Sequence, residues 1–580
     1  MVPNKKDVIR LLEKIALYME LKGDHPFKIQ AFRKAAKVLE MDDRSLEEID
    51  QLTELPGIGK GIAMLINEFI TTGHSSILEK LQEEIPKELV YLLQIPGLGA
   101  KTIAKLHQEL GIQTLDELKR ACVEGRIRKI KGFGEKTERN ILQGIEQFNK
   151  KTFRIPLAQM LPIAKWVEDR LSDMKGIETF FRAGSLRRLK ETLKDLDFVI
   201  ATNHPKYVRE QILQFPNIKD RINAGDSKIT CKFSFDFDVS VDFRIVSPDS
   251  YPTTLHHFTG SKDHNVRMRQ IAKARKEKIS EYGVENTETG DFFTFRNEKD
   301  FFAHFGLPFI PPELREDGSE IDKVEELPDL VSEGDIKGDL HMHSNWSDGV
   351  HTVSEMVEAC RRRGYSYVAI TDHSQFLKIA NGLTKDRIRR QLELVRKLND
   401  QYSDITILAG IELDILPDGS LDLDEDILQE LDVVIASIHS AFHQSERQIL
   451  KRLKTAFENP YVNIIAHPTG RIIGRRKGYS VDIEKLFQLA KETNTALEIN
   501  ANPKRLDLKP EYVKIGKEMG VKFVINTDAH SKESLANMEI GVKFARKAWL
   551  NKQMVLNTMD TDQLLHFFKQ KKEGKSDSFT

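Results

Sequence analysis

Two aspartates one residue apart, Asp195 and Asp197, precede the apolar run Phe198-Val199-Ile200. On a strand, where side chains alternate between faces, both carboxylates project from one face while the apolar tail anchors the strand in a core. Carboxylates held this close repel each other, and a divalent cation with hard oxygen ligands relieves the repulsion. A further carboxylate is expected nearby. The alternating segment 233–246 supplies it, reading as one strand with Asp236, Asp238, Ser240 and Asp242 on one side and Phe235, Phe237, Val239, Val241 and Phe243 on the other. Three aspartates on neighbouring strands can hold two cations ~3.5–4 Å apart, the arrangement used for in-line displacement at phosphorus. Upstream, the turn Gly184-Ser185-Leu186-Arg187-Arg188 offers backbone and hydroxyl donors and forked guanidinium groups, the partners a triphosphate requires.

A second chemistry begins near Asp335, where histidines and carboxylates recur at the ends of short apolar runs. These runs occupy 339–343, 368–373, 407–412, 433–439, 464–468, 496–500 and 524–530, and they alternate with helical segments such as 354–363, 385–398 and 483–492. Such alternation predicts a parallel β/α barrel. His341 and His343, at i and i+2, are expected on one strand face. Because barrel sites lie at the carboxyl ends of the strands, these run ends should converge into an imidazole and carboxylate cluster suited to manganese, zinc or iron.

The elements ahead of both sites carry a repeat. Leu55-Pro56-Gly57-Ile58-Gly59 returns as Ile95-Pro96-Gly97-Leu98-Gly99 and, more loosely, as Ile130-Lys131-Gly132-Phe133-Gly134, with Gly57, Gly97 and Gly132 spaced 40 and 35 residues apart. Each copy sets a tight turn needing positive φ before a helix start, so amide donors face outward from a positive helix end. That geometry suits a backbone phosphate, reads no bases, and favours helix-hairpin-helix DNA-binding elements. Amphipathic helices fill residues 5–40. After Gly260-Ser261, a helix carries Arg267, Arg269, Lys273, Arg275, Lys276 and Lys278 against only Asp263 and Glu277, a run able to track a template strand. The acidic stretch 313–334 reads as a linker.

At 580 residues the chain is long enough for three or four domains. Its 40% apolar and 31% charged residues describe a globular protein rather than a disordered or fibrous one. No apolar run approaches the ~20 residues of a membrane span, and the charged N-terminus lacks a signal-peptide core, so a cytoplasmic location is expected. Three distant cysteines suggest neither a disulfide framework nor a thiolate zinc site. With a net charge of −1, any contact with nucleic acid must come from local basic patches.

The segments GSLRR, DLDFVI, VDFRIV and HHFTGSKDHNVRMR resemble the nucleotidyltransferase palm and fingers of the family X DNA polymerases. The resemblance implies that Asp195, Asp197 and Asp242 are catalytic and hold two magnesium or manganese ions, with Asp242 accepting the primer hydroxyl proton. It further implies that Arg154, Gly184, Ser185 and Arg188 contact the incoming triphosphate, that Phe258 and Gly260 line its sugar and base, and that Asn265 and Arg269 lie on the minor-groove side of the new pair. His257 stands where better-known relatives carry tyrosine. In the N-terminal domain, which resembles the one that grips the 5′ side of a DNA gap, Lys28, Arg33 and Lys34 become phosphate contacts, joined by the hairpin glycines Gly57, Gly59, Gly97 and Gly99. Leu65 occupies the place of the Schiff-base lysine of lyase-active members, so lyase chemistry by that route lacks its amine.

The order DLHMHS, TDH, GIE, SxH, AHP and TDAH resembles the polymerase and histidinol phosphatase (PHP) superfamily, phosphoesterases with up to three divalent metals. The matching ligands are His341, His343, Asp348, His373, Glu412, His439, His467, Asp528 and His530. Cations there would lower the pKa of water toward ~7 for attack on a phosphodiester. Arg471 and Arg475 are expected to steady the phosphate.

Together these readings predict a multidomain α/β and α+β chain: an N-terminal helix-hairpin-helix domain (1–85), a fingers-like helical region (86–150), a nucleotidyltransferase palm and thumb (151–316), a linker (317–334), a distorted (β/α)7 PHP barrel (335–570) and a tail (571–580). The expected function is short-gap DNA repair synthesis with a 3′-5′ exonuclease, and the family also implies abasic-site endonuclease and 3′-phosphodiesterase activity. Gapped or nicked duplex and deoxynucleoside triphosphates are the expected partners of a monomer. One alternative is a nuclease whose polymerase-like part only positions DNA. A DNA-binding scaffold is another, against which the intact ligand sets weigh.

Overall fold

Glycine fixes where three helices start. Gly57, Gly97 and Gly132 hold φ of 116°, 85° and 88°, and the helices Lys60–Thr72, Ala100–Leu110 and Glu135–Lys150 begin just after the second glycine of each turn. The looser third copy thus has the same local backbone as the first two. The computed structural model describes residues 5–41, 46, 49, 51–93, 95, 97–150 and 154–573. Pro96 of the second turn and residues 574–580 of the segment read as a tail lie outside the described residues, whereas Lys571 and Lys572 end the last helix, Thr561–Lys572. The helices before residue 150 bury their apolar faces in two small cores, one around Leu12, Ile15, Ile66 and Leu65 and one around Leu92, Ile103, Leu118 and Cys122. Leu65 is therefore a core residue as well as a non-lysine.

The palm is a five-stranded sheet in the order Thr179–Arg182, Asp195–Ala201, Asp238–Val246, Lys228–Ser234, Ile218–Ala224. The two aspartate-bearing strands are parallel neighbours, with Asp197 paired to Asp242 and Asp195 to Ser240. Their burial alternates, polar positions half-buried and apolar positions buried, and helix Leu157–Asp173 covers the apolar face. The expected single strand over 233–246 is instead a hairpin. Strands Lys228–Ser234 and Asp238–Val246 pair antiparallel, and the chain reverses at 235–237, where the Phe235 N–H donates to the Phe237 carbonyl. Asp236 accordingly lies in the turn. Phe235 packs edge-on against Trp166 there, ring centroids 5.2 Å apart, and Phe235 and Phe237 are half-buried while Asp236 is exposed.

Helices Tyr251–Thr259 and Lys262–Ala274 and a small three-stranded sheet follow, sharing a core of Met268, Phe301, Phe302 and Ile310. The stretch expected to be a linker is folded. It contains the helix Ser319–Asp322, buries Ile321 and Val331, and pairs Asp322 with Arg267 and Glu320 with His264 at 2.5 and 2.7 Å. Glu313, Glu316, Glu320 and Asp322 all have basic partners elsewhere in the chain.

The last unit is a seven-stranded, wholly parallel sheet whose spatial order follows the sequence: Gly338–Asp339, Tyr367–Ile370, Thr406–Asp414, Val433–Ser437, Ile464–Ile465, Ala496–Asn500 and Phe523–Asn526. A parallel bridge between Met342 and Ala529 brings the first and last strands together, so the barrel is nearly closed. The first strand ends at Asp339, and His341 and His343 follow it in the adjoining loop rather than on the strand itself. Palm and barrel share one continuous apolar core, from Ile155 to Val555 in sequence. The cysteines are unpaired and buried: Cys122 in the helical region, Cys231 on a palm strand and Cys360 on a barrel helix. Among the described residues no helix is long and apolar enough to cross a membrane.

Candidate active sites

Parallel pairing puts the Asp195, Asp197 and Asp242 carboxylates on one face of the palm. Their crowding is electrostatically visible. Burial first, and then the Asp195 and Asp242 carboxylates, push the Asp197 carboxyl up to about 7 against the pull of Arg188 and Arg244. A site that raises a carboxyl this way, despite the arginines beside it, fits hard cations. The turn at Gly184 closes over it: Gly184 has φ 56°, and a Cβ there would lie 2.0 Å from Asp197 Oδ2, so only glycine allows the approach.

Arg188 donates through its guanidinium to the Thr259 carbonyl, tying the Gly184 turn to the turn at Gly260. Arg187 reaches Glu298 at 2.5 Å, and Glu298 also holds the fully buried Arg315 at 2.7 Å. Phe258 stacks under Arg244, the guanidinium 4.2 Å from the ring centre. Asn265 donates its amide to the His257 carbonyl at 2.7 Å. Arg154 is turned toward Thr192, donating to its hydroxyl at 3.0 Å and to its carbonyl at 2.5 Å, on the wall of a cavity of about 820 Å³ between palm and barrel. Ser185 lies in the same short helix as Gly184, Gly184–Arg187.

Of the expected DNA contacts, Lys28, Lys34 and Arg269 are exposed. Arg33 is half-buried and paired with Glu20 at 2.6 Å. The Lys34 stem lies against the Gly57 turn, its Cε 2.9 Å from where a Cβ would sit. Gly59 and Gly99 are the N-cap residues of their helices, and Gly97 faces open space.

In the barrel all nine expected ligands converge. Glu412 is the hub: one oxygen lies 2.9 Å from His467 and 3.3 Å from His439, the other 2.9 Å from His373, 3.4 Å from His341 and 3.5 Å from His343. Asp528 Oδ1 lies 3.3 Å from His343 and 3.6 Å from His530, and Asp348 Oδ1 lies 3.2 Å from His530 and 3.5 Å from His373. Three groups have ligand atoms mutually within 4.8 Å: His343, Asp348, His373 and His530; His341, His343 and Asp528; and His373, Glu412 and His439. Among the described residues the buried Nδ1 atoms of His343 and His467 make no hydrogen bond. Nitrogen and oxygen donors gathered this densely fit divalent cations.

Charge in the cluster is shared unequally. Burial works against protonation of His341, but Glu498, Glu412 and Asp528 outweigh it and hold its pKa well above the usual histidine value. His439 is likewise raised to about 10, burial being overcome by Asp414 and Glu412. His343, beside His530 and His373, is pushed down to about 3, with burial the larger cause. Sequence reasoning missed the residues that orient these ligands. Glu498 accepts from His341 Nδ1 at 2.6 Å and Asp414 from His439 Nδ1 at 3.1 Å, each fixing a tautomer that turns Nε2 inward. Glu498 sits inside the run 496–500, which reads only as a strand, and Asp414 lies two residues past the run 407–412, at the end of the observed strand Thr406–Asp414. Arg505, 3.2 Å from Asp528 Oδ2, is the guanidinium at the cluster. Arg471, expected to steady phosphate, is instead buried between Glu191 of the palm, at 2.8 Å, and the Leu506 carbonyl, and Arg475 is exposed. The inward guanidinium comes from the loop after Ala496–Asn500 and not from the loop after Ile464–Ile465 that carries Arg471 and Arg475, and spacing alone does not encode that choice.

Residues 3–75 match a helix-hairpin-helix domain, and 49–110 and 89–147 match a SAM-like helix-hairpin-helix tandem. Residues 254–316 match the DNA polymerase beta thumb, and 339–502 the PHP domain. The DNA polymerase/3′-5′ exonuclease PolX of Bacillus subtilis (strain 168) is 56% identical over 566 residues, covering 98% of this chain and 99% of that protein. A probable phosphatase of Thermoanaerobacter sp. (strain X514) is 31% identical over 245 residues, 40% of this chain and 95% of its own length. A probable phosphatase of Caldanaerobacter subterraneus is 30% identical over 248 residues, 40% of this chain and 92% of its own. Both phosphatases correspond in length to the barrel alone, whereas the likeness to PolX runs through the hairpin repeats, the aspartate strands and the barrel ligands together. The chain belongs to the family X DNA polymerases that carry a C-terminal PHP domain.

Proposed function

We propose that this protein is a DNA polymerase that fills short gaps during repair and trims 3′ ends at its barrel as a 3′-5′ exonuclease. The observation that carries the reading is spatial: three carboxylates on the palm sheet and nine imidazoles and carboxylates at the barrel mouth form two separate clusters. Asp195, Asp197 and Asp242 would hold magnesium or manganese, which when bound neutralises the triphosphate and aligns the primer hydroxyl with it. Asp242 takes the hydroxyl proton. Ser185 and Arg188 donate to the departing pyrophosphate, with Arg154 beside them and Gly184 permitting the close approach. Phe258 and Gly260 line the sugar and base, and Asn265 and Arg269 flank the new pair. Gly57, Gly59, Gly97 and Gly99 present amides to phosphates of a gapped or nicked duplex, joined by Lys28, Arg33 and Lys34.

In the barrel the nine ligands would hold up to three manganese, zinc or iron ions, which when bound acidify water and polarise the phosphodiester. Glu498 and Asp414 keep His341 and His439 turned inward, and Arg505 orients the scissile phosphate. Buried, unbridged thiols suit a cytosolic enzyme, and we take it to act as a monomer. Nothing favours a nuclease with a merely DNA-holding palm, since the aspartate triad and the Gly184 turn are both in place. Primer extension on gapped DNA tests the assignment. Asp195→Ala should abolish synthesis and keep hydrolysis, and His343→Ala the reverse; loss of both activities in either variant would refute two separate sites.

A further inference from the structure

The helix Met538–Lys547 belongs to the barrel, yet its last residue leaves it. The helix is seated without slack: a Cβ on Gly541 would come within 2.5 Å of Ala501 Cβ and 2.7 Å of Ile525 Cγ2, so its end is a rigid platform. From that end the Lys547 ammonium, on a side chain only 10% exposed, donates to the Arg188 carbonyl at 2.8 Å and to Glu316 Oε1 at 2.7 Å. The other Glu316 oxygen takes Lys190. The Glu316 backbone carbonyl accepts from Ser261 Oγ at 2.5 Å.

Two turns of the nucleotide site are therefore tied to one ammonium, the first directly through the Arg188 carbonyl and the second through Glu316. Arg188 and Lys190 end the Gly184 turn, Ser261 follows Gly260 in the second turn, and the Arg188 guanidinium already links the two through Thr259. A burial this complete is costly for a lysine unless its charge and donors find partners, and here a carboxylate and a carbonyl accept from it. We propose that Lys547, contributed by the PHP barrel, is a positioning residue of the polymerase site: it holds the backbone of the triphosphate turn and, through Glu316, the turn at Gly260. The inference rests on the polymerase assignment above. It makes the barrel a structural part of nucleotide binding, quite apart from its own chemistry.

The test uses the full chain and a one-nucleotide gap. Lys547→Met keeps the stem and removes the ammonium; the expected result is a KM for the incoming deoxynucleotide raised roughly tenfold or more, with kcat changed much less, because a charged hydrogen bond that shapes the binding turn is lost. Exonuclease rate and melting temperature stay near wild type, and Lys547→Arg recovers part of the affinity. Glu316→Gln, made from the thumb side, should raise KM in the same direction, and the double variant should be no worse than the poorer single one. A wild-type KM in Lys547→Met, or a rise matched by equal loss of exonuclease and of melting temperature, overturns the proposal. A wild-type chain that extends no primer would fail the polymerase assignment itself, and the inference with it.

Discussion

Asp197 shows how a single carboxyl couples stability to function. Its pKa stands at about 7 in the folded chain, against ~3.9 for an unfolded aspartate. The folded state thus prefers Asp197 protonated, and its stabilising contribution is present below about pH 4 and lost as pH rises toward 7. Asp197→Asn removes the carboxylate that is costly at high pH. In metal-free protein the variant should melt several degrees above wild type at pH 8, with the gain gone by pH 4, and should not synthesise DNA; equal melting curves at pH 8 would show that the three carboxylates do not crowd. In the barrel two imidazoles are shifted in the same upward direction. His341 and His439, held protonated by Glu498, Glu412 and Asp414, must lose their protons to become ligands, so manganese loading at pH 7 should release protons. Calorimetric titration in buffers of different ionisation enthalpy reads this, and heats independent of buffer would mean the two rings were already neutral.

At the level of elements, the hairpin turns owe their geometry to glycine alone. A Cβ on Gly97 would touch nothing within 4 Å, so Gly97→Ala probes its φ of 85° without a steric clash. Left-handed backbone strains alanine by ~1–3 kcal/mol, and affinity for gapped duplex should fall roughly fivefold or more by fluorescence anisotropy. An unchanged affinity would remove the second hairpin from the DNA contact surface. These turns were legible because glycine is the one residue suited to them, and the barrel because each apolar run ends in a polar residue at the site. The palm hairpin was not: with Phe235, Asp236 and Phe237 in the turn, the polar–apolar alternation continues through the reversal and disguises Asp236 as a strand position. Glu498 and Asp414 were hidden for a related reason, since a buried carboxylate serving a histidine looks, in one dimension, like a strand interruption. The folded acidic stretch 313–334 was equally opaque, since Glu313, Glu316, Glu320 and Asp322 are paired with Arg546, Lys547, His264 and Arg267, which lie elsewhere in the chain.

On the scale of the molecule, the shared core of palm and barrel predicts that these two units melt together. The N-terminal helices, whose two cores are separate and small, should melt independently and earlier in differential scanning calorimetry; a separate barrel transition would contradict the shared core. The placement of the three thiols turns this into an experiment needing no introduced label. Cys122 reports on the hairpin region, while Cys231 and Cys360 report on either side of the joined core. Under stepwise denaturant, alkylation read by mass should modify Cys122 first and then the other two in step, so the chain carries its own record of the order in which it comes apart.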